Sequence, residues 1–233
     1  MSERIYTIPI NDHFGKIDGC PLCSLFDMLE KNEIEIITGA AMMEPSVRIE
    51  TNEQGFCAKH FDLMLKVGKK LPVALILQSH LEKITQDLSK TKPEKQQKYL
   101  SSMEGKCYVC GRIERNMNNI YDNLFYLYQT DDKFRELFLK QKYFCLPHYK
   151  KLLEYGQKYL ARKEFEKFSS EIWRIESEYL QTLQGDVDWF CKKFDYRFSN
   201  ESWKNSKDAV ERAIYTISSV YPSGKNGIST VEG

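Results

Sequence analysis

Long apolar runs are missing from this chain. The longest aliphatic stretch, Val73 to Leu77, falls far short of the ~20 residues a helix needs to cross a bilayer, so no membrane span is expected. The opening residues, Met1 to Ile10, contain no apolar segment of the kind an export signal uses, and a cytoplasmic location is the expectation. Neither charge sign dominates: 34 Lys and Arg stand against 33 Asp and Glu, a net of +1. That balance supplies no overall field to draw the protein to nucleic acid or an anionic membrane. The phosphate-cradling glycine loops, the GxSxG elbow and the HExxH zinc helix are absent as well, so the usual signatures of an enzyme do not occur. Strand patterning is thin. Only Ile5 to Ile10 alternates, and Pro9 restricts that stretch to an edge or an extended arm.

What the chain does have is one cysteine–histidine signature, present twice. Cys20-Pro-Leu-Cys23 is followed by Cys57-Ala-Lys-His60, and Cys107-Tyr-Val-Cys110 by Cys145-Leu-Pro-His148. The intervals between CxxC and CxxH are 33 and 34 residues. Six of the seven cysteines and two of the four histidines are taken up in this way. Each CxxC turn offers two thiolates on one side of a bend, and the i, i+3 pair of a CxxH shares a face of a helical turn. Three thiolates and an imidazole form a closed tetrahedral set suited to structural zinc, two ions per chain. Iron–sulfur ligation is less favoured because it more often takes four cysteines. A redox CxxC would need a βαβ context that the pattern does not supply.

The duplication extends beyond the ligands. Val47-Arg48 matches Phe134-Arg135, Phe56 matches Phe144, Phe61 matches Tyr149, and Gly68 matches Gly156. Most of each unit reads as helix. Ile113, Met117, Ile120, Leu124 and Tyr128 form one stripe; Phe165, Phe168, Ile172, Ile175, Tyr179 and Leu183 form another; Leu77, Leu81, Ile84 and Leu88 form a shorter one. Thr130-Asp131-Asp132 supplies the cap of a short helix from Phe134. The matched glycines either end a helix in a left-handed cap or admit a close neighbour, and Pro72 favours the cap at Gly68.

The expected fold is therefore mostly α: a duplicated helical zinc-binding half-domain with an additional C-terminal helical segment. Residues 1–16 read as an N-terminal arm, 17–92 as the first CxxC/CxxH unit and 104–184 as the second. The aromatic-rich segment and C-terminal helix occupy 185–221, and 222–233 reads as a flexible tail. Ser89 to Lys98 reads as a linker or exposed turn. In the C-terminal helix Ala209, Val210, Ala213, Ile214 and Ile217 are expected to face inward. Local closure within each repeat is the favoured ligand pairing, because a duplication copies a unit that already works. The crossed alternative closes each CxxC on the other repeat's CxxH.

Other tempting residues have plainer readings. His80 reads as a partly buried helix-flank histidine, His13 as a surface residue without a partner, and Cys191 as a buried thiol among aromatics. Lys140, Lys142, Lys150 and Lys151 read as a solvated helix face, although they could touch phosphate. With CPLC, Gly55-Phe56-Cys57-x-x-His60, the second CxxC/CxxH pair and Lys193-Phe-Asp-Tyr-Arg197 followed by Trp203, the chain resembles a family of uncharacterised bacterial proteins over about residues 1–215. Some members carry a label as ABC-transporter substrate-binding proteins, which the absence of an alternating βα pattern contradicts. The resemblance implies a shared layout and no activity. The function that follows is a zinc-binding module for a protein partner, using the aromatic C-terminal region or the groove between repeats. A redox or sulfur-handling enzyme is the alternative, and a nucleic-acid-binding regulator stands behind it.

Overall fold

The computed structural model describes residues 6–219, and among these it contains eleven α-helices and no strand. The helices are α1 (Thr7–Phe14), α2 (Pro21–Ile37), α3 (Pro45–Gln54), α4 (Ala58–Lys66), α5 (Lys70–Lys90), α6 (Pro93–Met103), α7 (Tyr108–Thr130), α8 (Asp132–Leu139), α9 (Leu146–Tyr159), α10 (Arg162–Lys192) and α11 (Ala209–Ser218). The expected tail, 222–233, lies outside the described residues.

Two compact units make up the chain, and they do not follow the sequence repeat. One is the continuous segment Met28–Asn118; the other joins the residues up to Asp27 to those from Asn119 onward. The chain therefore changes unit inside α2 and again inside α7.

The discontinuous unit is built around phenylalanine. Phe14 of α1 packs against Phe134 and Phe138 of α8 at ring distances of 5.3 and 5.7 Å, and Phe138 meets Phe168 of α10 at 5.8 Å. Phe125 and Tyr128 of α7 close on the same Phe168 ring. Each buried ring contributes about 1.5–3 kcal/mol by leaving water. The region expected to be an arm is thus a helix that seals the core with Ile10 and Phe14. Pro9 sits in its first turn, where the missing N–H has no acceptor to lose.

The continuous unit is aliphatic. Ile34, Ile37, Met42, Met64, Val73, Ile76, Val109 and Ile113 are buried in it. Helices α3 and α5 pack together, joined by Arg48 donating to the Leu75 carbonyl at 3.2 Å and Ser79 donating to Asn52 at 2.9 Å. On α5 the inward residues are Val73 and Ile76; Leu81, expected inside, is exposed. The expected linker contains a helix, α6, started by Pro93 at its N-terminus, a position proline favours.

The α7 stripe is buried as its spacing requires, and so are Phe168, Ile172, Ile175 and Leu183 of the α10 stripe, while Phe165 and Tyr179 at its edge are half-buried. Asp131 caps α8 by accepting from the N–H groups of Lys133 and Phe134. Helix α10 runs on through Gly185 to Lys192, past the expected boundary at 184. The matched glycines divide the two roles between them. Gly68 follows α4 with φ +80° and open space around it, whereas Gly156 lies inside α9, where a Cβ would sit 3.0 Å from the Phe168 ring. On α11 the inward residues are Ala209, Tyr215 and Thr216, while Val210, Ile214 and Ile217 face out. Helix α11 packs on α9 and α10 by that polar-edged face.

Candidate metal centres

All eight sequence-predicted ligands fall into two sets of four, and the pairing is crossed. Cys20 and Cys23 meet Cys145 and His148; Cys57 and His60 meet Cys107 and Cys110. The expectation of local closure is overturned. Near-equal intervals follow from duplication whichever way the ends join, so they hold no information about partners. Each set lies within one compact unit, the first in the discontinuous unit and the second in Met28–Asn118.

Local structure places every ligand pair in the same way. Cys20, Cys57, Cys107 and Cys145 each stand immediately before a helix, and Cys23, His60, Cys110 and His148 lie three residues on, in its first turn. Two helix N-termini therefore bring their ligands to each set: α2 with α9, and α4 with α7. The partial positive charge there favours thiolate over thiol.

Ligand spacing fits an ion. In the first set Cys23 Sγ lies 3.4 Å from Cys145 Sγ, and His148 Nδ1 lies 3.6, 3.3 and 3.0 Å from the sulfurs of Cys20, Cys23 and Cys145. In the second, His60 Nδ1 lies 3.2, 3.2 and 3.4 Å from those of Cys57, Cys107 and Cys110, and Cys57 Sγ is 3.9 Å from Cys110 Sγ. A tetrahedral zinc with bonds of ~2.3 Å to sulfur and ~2.0 Å to nitrogen has edges of roughly 3.8 and 3.5 Å. All four atoms of each set lie within 4.8 Å of one another. Both histidines present Nδ1, leaving Nε2 for an outer partner.

The surroundings of the two sets differ. His60 Nε2 is 3.1 Å from Glu30 Oε1 on α2, and the same oxygen accepts from Lys59 at 2.6 Å. This carboxylate–imidazole pair fixes the ring so that Nδ1 faces the sulfurs. The Tyr108 N–H donates to the Gly55 carbonyl at 3.0 Å and ties the start of α7 to the approach to Cys57. His80 braces that approach, its Nδ1 donating to the Asn52 carbonyl at 2.9 Å and its ring lying against Gly55, whose φ is +60°. It is a packing residue and not a ligand.

In the first set the residue equivalent to Tyr108 is Pro21, which has no N–H to give. The approach to Cys145 is held from another direction, by the Phe144 N–H donating to buried Glu176 at 3.1 Å. Tyr215 of α11 hydrogen-bonds the Cys23 sulfur, and burial, followed by the neighbouring Cys23, raises the tyrosine's pKa. His13, expected to be unpartnered, shares a 2.6 Å hydrogen bond with Ser24 beside Cys23.

In each set the neighbours of one thiol lower its pKa. Burial opposes this at Cys107, but the bond to His60 and the backbone groups of Cys110 and Cys57 bring it down to about 6. Cys20 is likewise lowered against its burial, by Cys145, Cys23 and His148. For His60, burial is outweighed by Cys107 and Glu30, which raise it to about 10.

Glu30, Glu176 and Tyr215 were not legible as site residues, because nothing in their spacing points to a ligand. Cys191 is exposed and not buried. Lys140, Lys150 and Lys151 pair with Glu136 and Glu154 on their own helices, as a solvated face does. No helix among the described residues is long and apolar enough to cross a membrane. No curated protein and no solved structure shows a significant match to the chain. A family profile matches residues 1–224, and the chain belongs to that family of unknown function, DUF6062.

Proposed function

We propose that this is a cytoplasmic two-zinc protein whose ions are structural and whose role is to bind a protein partner. The observation that carries the metal reading is the closure of both sets: four ligand atoms at tetrahedral edge distances leave no vertex for substrate or water. Three thiolates with one imidazole favour zinc over harder cations. Each ion would join two helix N-termini far apart in sequence, so its binding energy becomes folding energy.

The partner reading draws on the Lys193-Phe-Asp-Tyr-Arg197 stretch. Lys193 is buried and donates to the carbonyls of Phe198, Ser199 and Glu201 at 2.6–2.9 Å, while Asp195 pairs with Arg197. The charges are used internally, and Phe194 and Tyr196 are left 75% and 86% exposed on a braced turn. Rigid exposed aromatics are what protein interfaces use as anchors.

Elemental analysis of protein purified without added metal tests the first reading and should approach two zinc per chain. Less than one zinc, or iron with sulfide, overturns it. Purification of binding partners with native protein and with a Phe194→Ala/Tyr196→Ala variant tests the second. Equal recovery of the same partners by both overturns the assignment of this turn.

A further inference from the structure

The two sets differ in exposure in a way that separates their chemistry. Cys20, Cys23 and Cys145 are all buried, and α11 lies over that set through Tyr215. In the other set Cys107 and His60 are buried, Cys57 is partly exposed and Cys110 is exposed. The two accessible sulfurs come from different helices and lie 3.9 Å apart. A disulfide between them requires closing that gap to ~2.05 Å.

We propose that Cys110 is an oxidation site for hydrogen peroxide, with Cys57 as its resolving partner, and that its oxidation releases the ion of the second set alone. The proposal rests on the two-zinc reading. Partial burial and the neighbouring sulfurs of Cys107 and Cys57 keep Cys110 protonated without metal, so zinc ligation would hold it as the thiolate that attacks one peroxide oxygen. The O–O bond breaks, giving a sulfenic acid and hydroxide. The Cys57 thiolate then attacks the Cys110 sulfur and displaces a second hydroxide, forming the Cys57–Cys110 disulfide. Two thiolates have lost two electrons, peroxide has gained them, and zinc leaves with only Cys107 and His60 still able to hold it. The first set is spared because peroxide does not reach its sulfurs. The disulfide keeps α4 and α7 linked, so zinc release need not unfold the unit.

The test uses the full chain with Cys191→Ser, which removes the other exposed thiol. Zinc is counted first, then peroxide is added, released zinc is followed with a chromogenic chelator, and disulfides are mapped by mass spectrometry. The expected result is release of one zinc of two, with Cys57 joined to Cys110, reversed by dithiothreitol and zinc. Cys110→His keeps a fourth ligand without a thiol and should slow release at least tenfold. If that variant does not fold, the disulfide map decides alone. Release of both ions together, no release, or a disulfide containing Cys20, Cys23 or Cys145 overturns the proposal. Two zincs at the outset with no release removes only this inference, whereas less than one zinc removes the metal reading with it.

Discussion

The sulfur of Cys23 lies 3.4 Å from that of Cys145, 122 positions further along the chain. Loss of either residue opens the same set, and loss of a residue from the sequence-adjacent CxxH opens the other. Cys23→Ser and Cys145→Ser should each leave one zinc per chain, and the double variant should also leave one. Cys23→Ser combined with Cys57→Ser should leave none. Zinc counting on the four proteins decides, and a Cys23/Cys57 double variant that retains one zinc would restore local pairing.

Glu30 holds the second set's histidine through Nε2. Glu30→Gln keeps the shape and removes the charge that favours a basic imidazole. Outer partners of this kind are worth roughly 10–100-fold in metal affinity. Chelator competition should show one site weakened by about that factor and the other unchanged. Equal weakening of both would mean the variant acts on the fold and not on His60.

Glu176 is fully buried on α10, and its Oε1 has no partner among the described residues. Burial, opposed by the Phe144 N–H and reinforced by Cys20, raises its pKa from 4.5 to about 7. A carboxyl raised on folding binds more protons folded than unfolded, so its contribution to stability falls as pH rises through 4.5 to 7. Glu176→Gln removes that dependence. Relative to native protein, the variant should gain about 2 kcal/mol in urea unfolding between pH 5.5 and pH 8. A flat difference across that range would count against the raised pKa.

Gly156 and Gly68 occupy matching places in the repeat and should respond differently to alanine. At Gly156 the new Cβ meets the rings of Phe168 and Phe165 at 3.0 and 3.2 Å, an overpacking worth about 1–3 kcal/mol. At Gly68 there is open space and only the left-handed backbone to strain, at about 1 kcal/mol. Thermal melts of both variants should rank Gly156→Ala as the more destabilised. The reverse order would place the close α9–α10 approach in error.

Much of this fold could be read from side-chain spacing because spacing governs local structure. The α7 and α10 stripes, the Asp131 cap and the eight ligands all depend on neighbours within a few turns. Three kinds of feature could not be read in that way. Prolines at 9 and 93 look like breakers, but both sit at helix starts, where they break nothing. On α11, Val210, Ile214 and Ile217 make the stronger apolar stripe, yet the neighbouring elements take the face bearing Ala209, Tyr215 and Thr216. The partner of each CxxC is set by topology, and the two candidates are chemically identical. Only the path of the chain distinguishes them.

The segment Met28–Asn118 is inserted whole between the two parts of the other unit. During synthesis this sets an order of assembly. All four ligands of the inserted set have been made once Cys110 is added, while Cys20 and Cys23 still await Cys145 and His148. At ~5–20 residues per second, Cys23 waits roughly ten seconds for its partner sulfur. The four candidate ligands of the more exposed set can thus meet first, on a nascent chain, and those of the enclosed set meet last. A cell short of zinc during that interval would produce chains with the inserted unit closed and its host still open.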